Sequence, residues 1–194
     1  MKLAIVVGTT RPGRKTLQQA KWVQAAAEQL TDTSAELLDL ADYRLPFFNE
    51  PISPRYNPNR EPAPEVKKWL SKLAEFDAYV FVTAEYNHAM PGELKNALDF
   101  VDWQFVHKPG AVVSHGSAGG ARAMTVLKEV LSEDKMVIIP VGPSLAITGM
   151  SEIIDEDGVM SEAMRANPRG AQADLEAMLK DLQWYSNALA TART

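Results

Sequence analysis

Leu3, Ala4, Ile5, Val6 and Val7 run directly into Gly8, Thr9, Thr10, Arg11, Pro12, Gly13, Arg14, Lys15 and Thr16, and a segment of helical period follows. An apolar run rich in β-branched residues and stopped by glycine has the pattern of a strand covered on both faces. Leu17, Ala20, Val23, Ala27 and Leu30 then recur at three or four residues, the spacing of one helix face. Strand, turn and helix in immediate succession open a βαβ unit, and the rest of the chain repeats the unit.

Further strands are predicted at residues 35–40, 78–83, 111–114 and 136–141. Helical spacing links Val66, Trp69, Leu70 and Leu73, then Leu94, Ala97, Leu98 and Val101, then Met124, Leu127 and Leu131. Leu175, Met178, Leu179, Leu182 and Leu189 close the series. Parallel neighbours need crossovers, and these are almost always right-handed, so the alternation predicts an α/β, three-layer doubly wound sheet of five parallel strands. A length of 194 residues suits one domain spanning 1–194.

Composition excludes several classes. Hydrophobic residues at 46% and charged residues at 23% rule out disorder as a global description. The absence of cysteine excludes disulfides, thiolate zinc sites, cysteine-held iron–sulfur clusters and cysteine nucleophiles. A formal charge of −5 argues against nucleic acid, whose phosphates need a basic surface. No apolar run reaches the length of a membrane span and the start does not read as a signal peptide, so a cytoplasmic protein with small-molecule partners and no membrane association is expected. The charge is unevenly spread: residues 1–30 hold five basic side chains against Glu28 alone.

Six of the 12 prolines (Pro46, Pro51, Pro54, Pro58, Pro62 and Pro64) fall within one 19-residue stretch, which excludes a helix or a central strand there. Phe47 and Phe48 make it an ordered loop beside the site rather than a linker. A second irregular stretch covers residues 143–167. In it, residues 155–157 are acidic but lack the alternating ligands of a calcium loop, so a solvated turn is expected. Trp22, Trp69 and Trp184 fall in helical segments and read as packing residues.

Three turns carry chemistry. Residues 8–16 combine the hydroxyls of Thr9, Thr10 and Thr16 with Arg11 and Arg14 and the start of a helix, an arrangement suited to an anion. Neither a Walker phosphate loop nor a dinucleotide fingerprint matches it. Glu85, Tyr86, Asn87 and His88 follow the third strand, and Pro91 and Gly92 begin the next helix. Ser114, His115, Gly116, Ser117, Ala118, Gly119, Gly120, Ala121 and Arg122 close the fourth strand, with glycines that let backbone approach a flat ligand. In open α/β sheets, ligands bind at that strand edge.

The run Glu85, Tyr86, Asn87, Pro91, Gly92, Leu94, Lys95, Asn96 and Asp99 resembles a motif of the NADPH-dependent FMN reductase family. The turn Gly8, Thr9, Thr10, Arg11 is similar to its phosphate loop, and Gly119, Gly120 and Arg122 to its third motif. Leu45, Pro46, Phe47 and Phe48, and residues 155–158, also look like family segments. The resemblance implies a flavodoxin-like fold with strand order 2-1-3-4-5. By the same resemblance, Thr9, Arg11, Arg14, Lys15 and Thr16 hold the FMN phosphate, Glu85, Tyr86, Asn87 and His88 line the isoalloxazine edge, and His115, Gly116, Ser117, Ala118 and Gly119 pass beneath the ring. Three departures stand out: Thr9 in place of serine, Ala84 in place of proline, and Arg14 with Lys15 where a serine and an apolar residue are common.

The implied activity is NAD(P)H-dependent reduction of quinones, azo compounds or flavins in ping-pong order, the flavin carrying the hydride chemistry and no side chain acting as catalyst. His88 and His115 are then residues flanking the ring, with the role of general acid as the alternative. A single-electron carrier of flavodoxin type and a flavin-free binding relative are the rival readings. Phe100, Val101, Trp103, Phe105 and Val106 exceed what one buried face needs and suggest a subunit contact, in a homodimer or homotetramer.

Overall fold

The structure is a computed structural model that describes residues 1–139, the backbone of residues 144–146, and residues 153–193. Its elements run β1 (Lys2–Val7), α1 (Thr16–Ala27), β2 (Ser34–Asp39), α2 (Pro64–Ala74), β3 (Ala78–Ala84), α3 (Gly92–Asp99), β4 (Pro109–Gly116), α4 (Ala121–Glu133), β5 (Val137–Ile138), β6 (Ser144–Ala146), α5 (Glu162–Arg165) and α6 (Ala171–Arg193). Among the described residues the strands of the sheet all pair in parallel, in the order β2-β1-β3-β4-β5, as predicted. The fifth position is shared by two segments: β5 pairs with Pro109 and Gly110 of β4, and β6 pairs with Ser114, His115 and Gly116. Residues 140 and 141, the end of the predicted fifth strand, lie outside the described residues.

Alternate residues of the central strands feed two cores. Leu3, Ile5, Val7, Val80 and Val82 pack with α1 and α6 on one face, while Ala4, Val6, Tyr79 and Phe81 pack with α2, α3 and α4 on the other. This is why β3 and β4 are buried along their whole length, with apolar runs at residues 78–82 and 111–113. After β1 the chain crosses to one face and after β3 to the other. The order therefore reverses between these neighbours, at the crevice where such sheets bind ligands.

The proline-rich loop is tied to the body. Arg60, with its side chain 5% exposed, bonds Glu50 at 2.5 Å and Asp102 at 3.1 Å, and donates to the Phe100 carbonyl at 2.5 Å. Pro64 corrects the expectation that no proline of this stretch is helical. It is the first residue of α2, where a missing N–H costs no hydrogen bond.

Two further expectations change. Trp22 and Trp69 are buried, but Trp184 is 66% exposed on α6, its ring edge-on to Tyr185. Phe100, Val101 and Phe105 lie in the chain's own core, with Phe105 edge-on to Tyr79 at 4.8 Å, so most of the apolar excess after α3 is consumed there. Trp103 alone of that group is strongly exposed, at 61%. Among the described residues, no helix is long and apolar enough to cross a membrane.

Candidate cofactor site

The turns after β1, β3 and β4 meet at one edge of the sheet because register brings their strands to a common end. Ala84 pairs with His115, and Val7 lies beside both Asp39 and Val82. Gly8 starts the first turn, donating its N–H to the Val82 carbonyl at 2.9 Å. A Cβ there would meet Leu94 at 2.8 Å and the Val82 carbonyl at 2.9 Å, so only glycine lets the turn lie this close to β3 and α3.

Thr9 is fully buried and its hydroxyl has no partner. Thr16, the first residue of α1, is equally buried, and its Oγ1 lies 2.8 Å from His115 Nε2. Between them residues 10–13 are exposed. Thr10 donates through N and Oγ1 to Glu93 Oε1 at 3.2 and 3.3 Å, and the Arg11 guanidinium stands 5.5 Å from the centre of the Tyr86 ring. Arg14 is paired with Asp39 at the end of β2, so its charge is already met. Lys15 caps the start of α1 without a side-chain bond to that helix.

The second turn is a tight reversal. Tyr86 and Ala89 exchange backbone hydrogen bonds at 2.9 and 3.0 Å around Asn87 and His88, both at positive φ. Two left-handed central residues make a type I′ turn, a conformation in which asparagine and histidine are among the commoner non-glycine residues. Asn87 and His88 are exposed, and Tyr86 is half-buried. Glu85 turns away from them. Its carboxylate accepts from the backbone N–H of Arg122 at 3.0 Å and from the Arg122 guanidinium at 3.1 Å, at the start of α4. Burial pushes this carboxyl up, but the Arg122 and Ala123 hydrogen bonds and the Arg122 charge outweigh it and hold it below its ordinary value.

The third turn continues from β4. His115 is 3% exposed, and burial lowers its imidazole to about 4, so it is neutral near pH 7. Ser114 Oγ accepts no role at the surface and instead donates to the Gly119 carbonyl at 2.8 Å, while Gly119 N–H donates to Gly116 at 2.9 Å. Ser117 and Ala118 are exposed at the tip. Gly120 has φ +76, and a Cβ there would stand 2.7 Å from the His115 carbonyl, so the turn closes tightly only with glycine.

Donors of this kind fit a flavin mononucleotide. The buried Thr9 hydroxyl, unpartnered among the described residues, the N–H groups of the first turn of α1 and the Arg11 cation, which no carboxylate among the described residues pairs, are donors that could hold a phosphate. The turns after β3 and β4 offer backbone and small residues to a planar ring. Sequence reasoning gave no role to four residues that shape this edge: Asp39, Glu93, Arg122 and Asn96. Asn96 donates to the Pro46 carbonyl and accepts from Phe48 N–H, both at 2.8 Å, which clamps residues 45–48 to α3. Its place in the motif was the available signal. Asp39 and Glu93 are brought in by register across the sheet and by packing between distant turns, and Arg122, which stands in the third motif, meets Glu85 at the start of α4. Residues 155–158 form a turn in which Asp155 accepts from the N–H groups of Asp157 and Val159.

Residues 1–148 match the family model described as NADPH-dependent FMN reductase. An NAD(P)H-dependent FMN reductase of Schizosaccharomyces pombe is 34% identical over 146 residues, covering 75% of this chain and 73% of that protein. A 2-hydroxy-1,4-benzoquinone reductase of a Burkholderia species is 32% identical over 174 residues, covering 85% and 88%. Among solved structures, the flavoenzyme NAD(P)H:(acceptor) oxidoreductase FerB of Paracoccus denitrificans superposes with a TM-score of 0.74 at 25% identity, covering 95% of this chain and 98% of its own. With the parallel order 2-1-3-4-5 and three turns converging at its switch point, the chain belongs to the NADPH-dependent FMN reductase family, oxidoreductases that use FMN with NADPH or NADH.

Proposed function

We propose that NAD(P)H and a small electron acceptor, a quinone, an azo compound or a free flavin, use one cleft in turn. When bound, FMN takes up two electrons as hydride from the nicotinamide and returns them to the acceptor. The observation that carries this reading is the convergence of three turns from β1, β3 and β4 on one crevice, with a buried, unpartnered hydroxyl at Thr9.

Thr9, Arg11, Lys15 and Thr16, with the first N–H groups of α1, bind the phosphate, and Arg14 braces their turn through Asp39. Tyr86, Asn87 and His88 present the ring edge, with Glu85 holding that turn against α4. His115, Gly116, Ser117, Ala118 and Gly119 pass beneath the ring. Phe47, 89% exposed on the loop that Asn96 clamps, and Tyr86 form apolar walls on which nicotinamide and acceptor stack alternately. Sharing one pair of walls forces the first product to leave before the acceptor enters, which is ping-pong order. The whole chain acts as one FMN-binding domain. Its exposed Trp103 meets a second copy in a homodimer.

Steady-state rates with FMN-loaded protein, NADPH or NADH, and a benzoquinone test this. Parallel lines in double-reciprocal plots are expected. Intersecting lines would exclude alternate use of one cleft, and no oxidation of NADPH or NADH with any quinone would remove the acceptor reading.

A further inference from the structure

His115 uses its two ring nitrogens unequally. Nε2 lies 2.8 Å from Thr16 Oγ1, whereas Nδ1 is buried without a hydrogen-bond partner among the described residues. Burial holds the imidazole neutral near pH 7, so it carries a single N–H. If that proton sat on Nδ1, a donor would be orphaned in the interior and the Thr16 hydroxyl would spend its proton on Nε2. If it sits on Nε2, the ring donates to Thr16 Oγ1 and leaves only a bare lone pair. Orphaned buried donors are rarer than under-satisfied acceptors, which favours the Nε2–H form.

The consequence falls on Thr16. A hydroxyl has one proton and two acceptor positions. Once His115 occupies an acceptor position, the Thr16 proton is available to an anion at the start of α1. Thr9, buried with its hydroxyl unused, adds a second such donor in the same turn.

We propose that His115 is a positioning residue for the cofactor phosphate, a neutral Nε2–H donor that turns the Thr16 proton toward the phosphate and ties the turn under the ring to the phosphate turn. This rests on the placement of the phosphate at residues 9–16.

FMN and riboflavin differ only in the phosphate, and their dissociation constants, read by flavin fluorescence on the full-length protein freed of flavin, separate the cases. His115→Leu is expected to weaken FMN by about tenfold, the scale of one hydrogen bond to a charged group, and riboflavin by less than about twofold. Thr16→Val should do the same, the double variant should be no worse than either single one, and His115→Gln, which keeps an N–H donor, should recover most of the loss. Equal weakening of both flavins, no weakening of FMN, or additive losses in the double variant would overturn the proposal. Arg11→Ala separates its failure from that of the site. If Arg11→Ala lowers FMN selectively and His115→Leu does not, only the role of His115 falls. If neither is selective, the phosphate lies elsewhere.

Discussion

The guanidinium of Arg14 is paired with the carboxylate of Asp39, side chains that are 14% and 17% exposed. The register that sets Val7 beside Asp39 brings the end of β2 against the turn after β1. A cation expected to face an anion is thereby used to hold the turn.

Asp39→Asn leaves Arg14 without its counter-charge in a mostly buried place. Stability should fall by about 1–3 kcal/mol, below the cost of breaking a fully buried pair because some solvent reaches both groups. Bound phosphate would replace the lost charge, so added FMN should raise the melting temperature more in Asp39→Asn than in the parent protein. Equal shifts in thermal denaturation would show that Arg14 stays out of reach of the phosphate.

Arg11 is exposed and has an aromatic face, Tyr86, as its neighbour. Arg11→Ala should lower FMN affinity at least about tenfold, since charge-assisted hydrogen bonds contribute about 1.5–3 kcal/mol. Titration calorimetry gives the number, and an unchanged constant would move the phosphate away from this turn.

Burial lowers the His115 imidazole from an ordinary value near 6.5 to about 4 in the folded chain. Below pH 6.5 the unfolded chain therefore binds a proton that the folded chain refuses, and stability falls as pH drops from about 6.5 towards about 4. It is fully present above that window. The slope from this group approaches 1.36 kcal/mol per pH unit. Urea denaturation from pH 7 to 4.5 should show a steeper loss in the parent than in His115→Leu. Parallel curves would mean that the imidazole titrates normally.

Asn96→Ala removes both bonds that hold residues 45–48 to α3. The amide of Phe48 should exchange with solvent faster, and KM should rise both for the acceptor and for NADPH or NADH, because a freed loop loses a stacking wall that the two share. Hydrogen exchange resolved by mass spectrometry and steady-state kinetics check the two halves separately. An unaltered exchange rate would show that Phe48 is held by its edge-on contact with Phe100 at 5.3 Å instead.

Trp103 is the exposed member of an otherwise buried apolar group. The parent protein should sediment as a dimer at micromolar concentration and Trp103→Glu as a monomer, with little change in stability, since the side chain makes little contact within its own chain. A dimeric variant would place the subunit contact on another face.

The strands and helices around the sheet were legible because their signal is local. Leu3 to Val7 and residues 78–82 run apolar because both faces are covered, and α1 follows its own period of three and four. The fifth strand was harder to read. Among the described residues, Val137 and Ile138 pair with the start of β4 and Ser144 to Ala146 with its end. Trp184 misled for a related reason: its helix has an apolar stripe, and tryptophan in such a helix reads as packing, yet it faces outward beside Tyr185.

Residue type and short-range spacing by themselves determined an alternating βα chain, a basic, hydroxyl-rich turn after the first strand, and two glycine- and asparagine-bearing turns that could approach a flat ligand. Tertiary structure decided which groups in those turns remain free. Arg14 is neutralised by Asp39, Glu85 is committed to the start of α4, and Thr16 meets a histidine 99 residues away. Charge and hydrogen-bonding capacity are written in the side chains. Whether they are spent inside the protein or offered to a ligand depends on strand register and packing between distant segments, which no local pattern encodes.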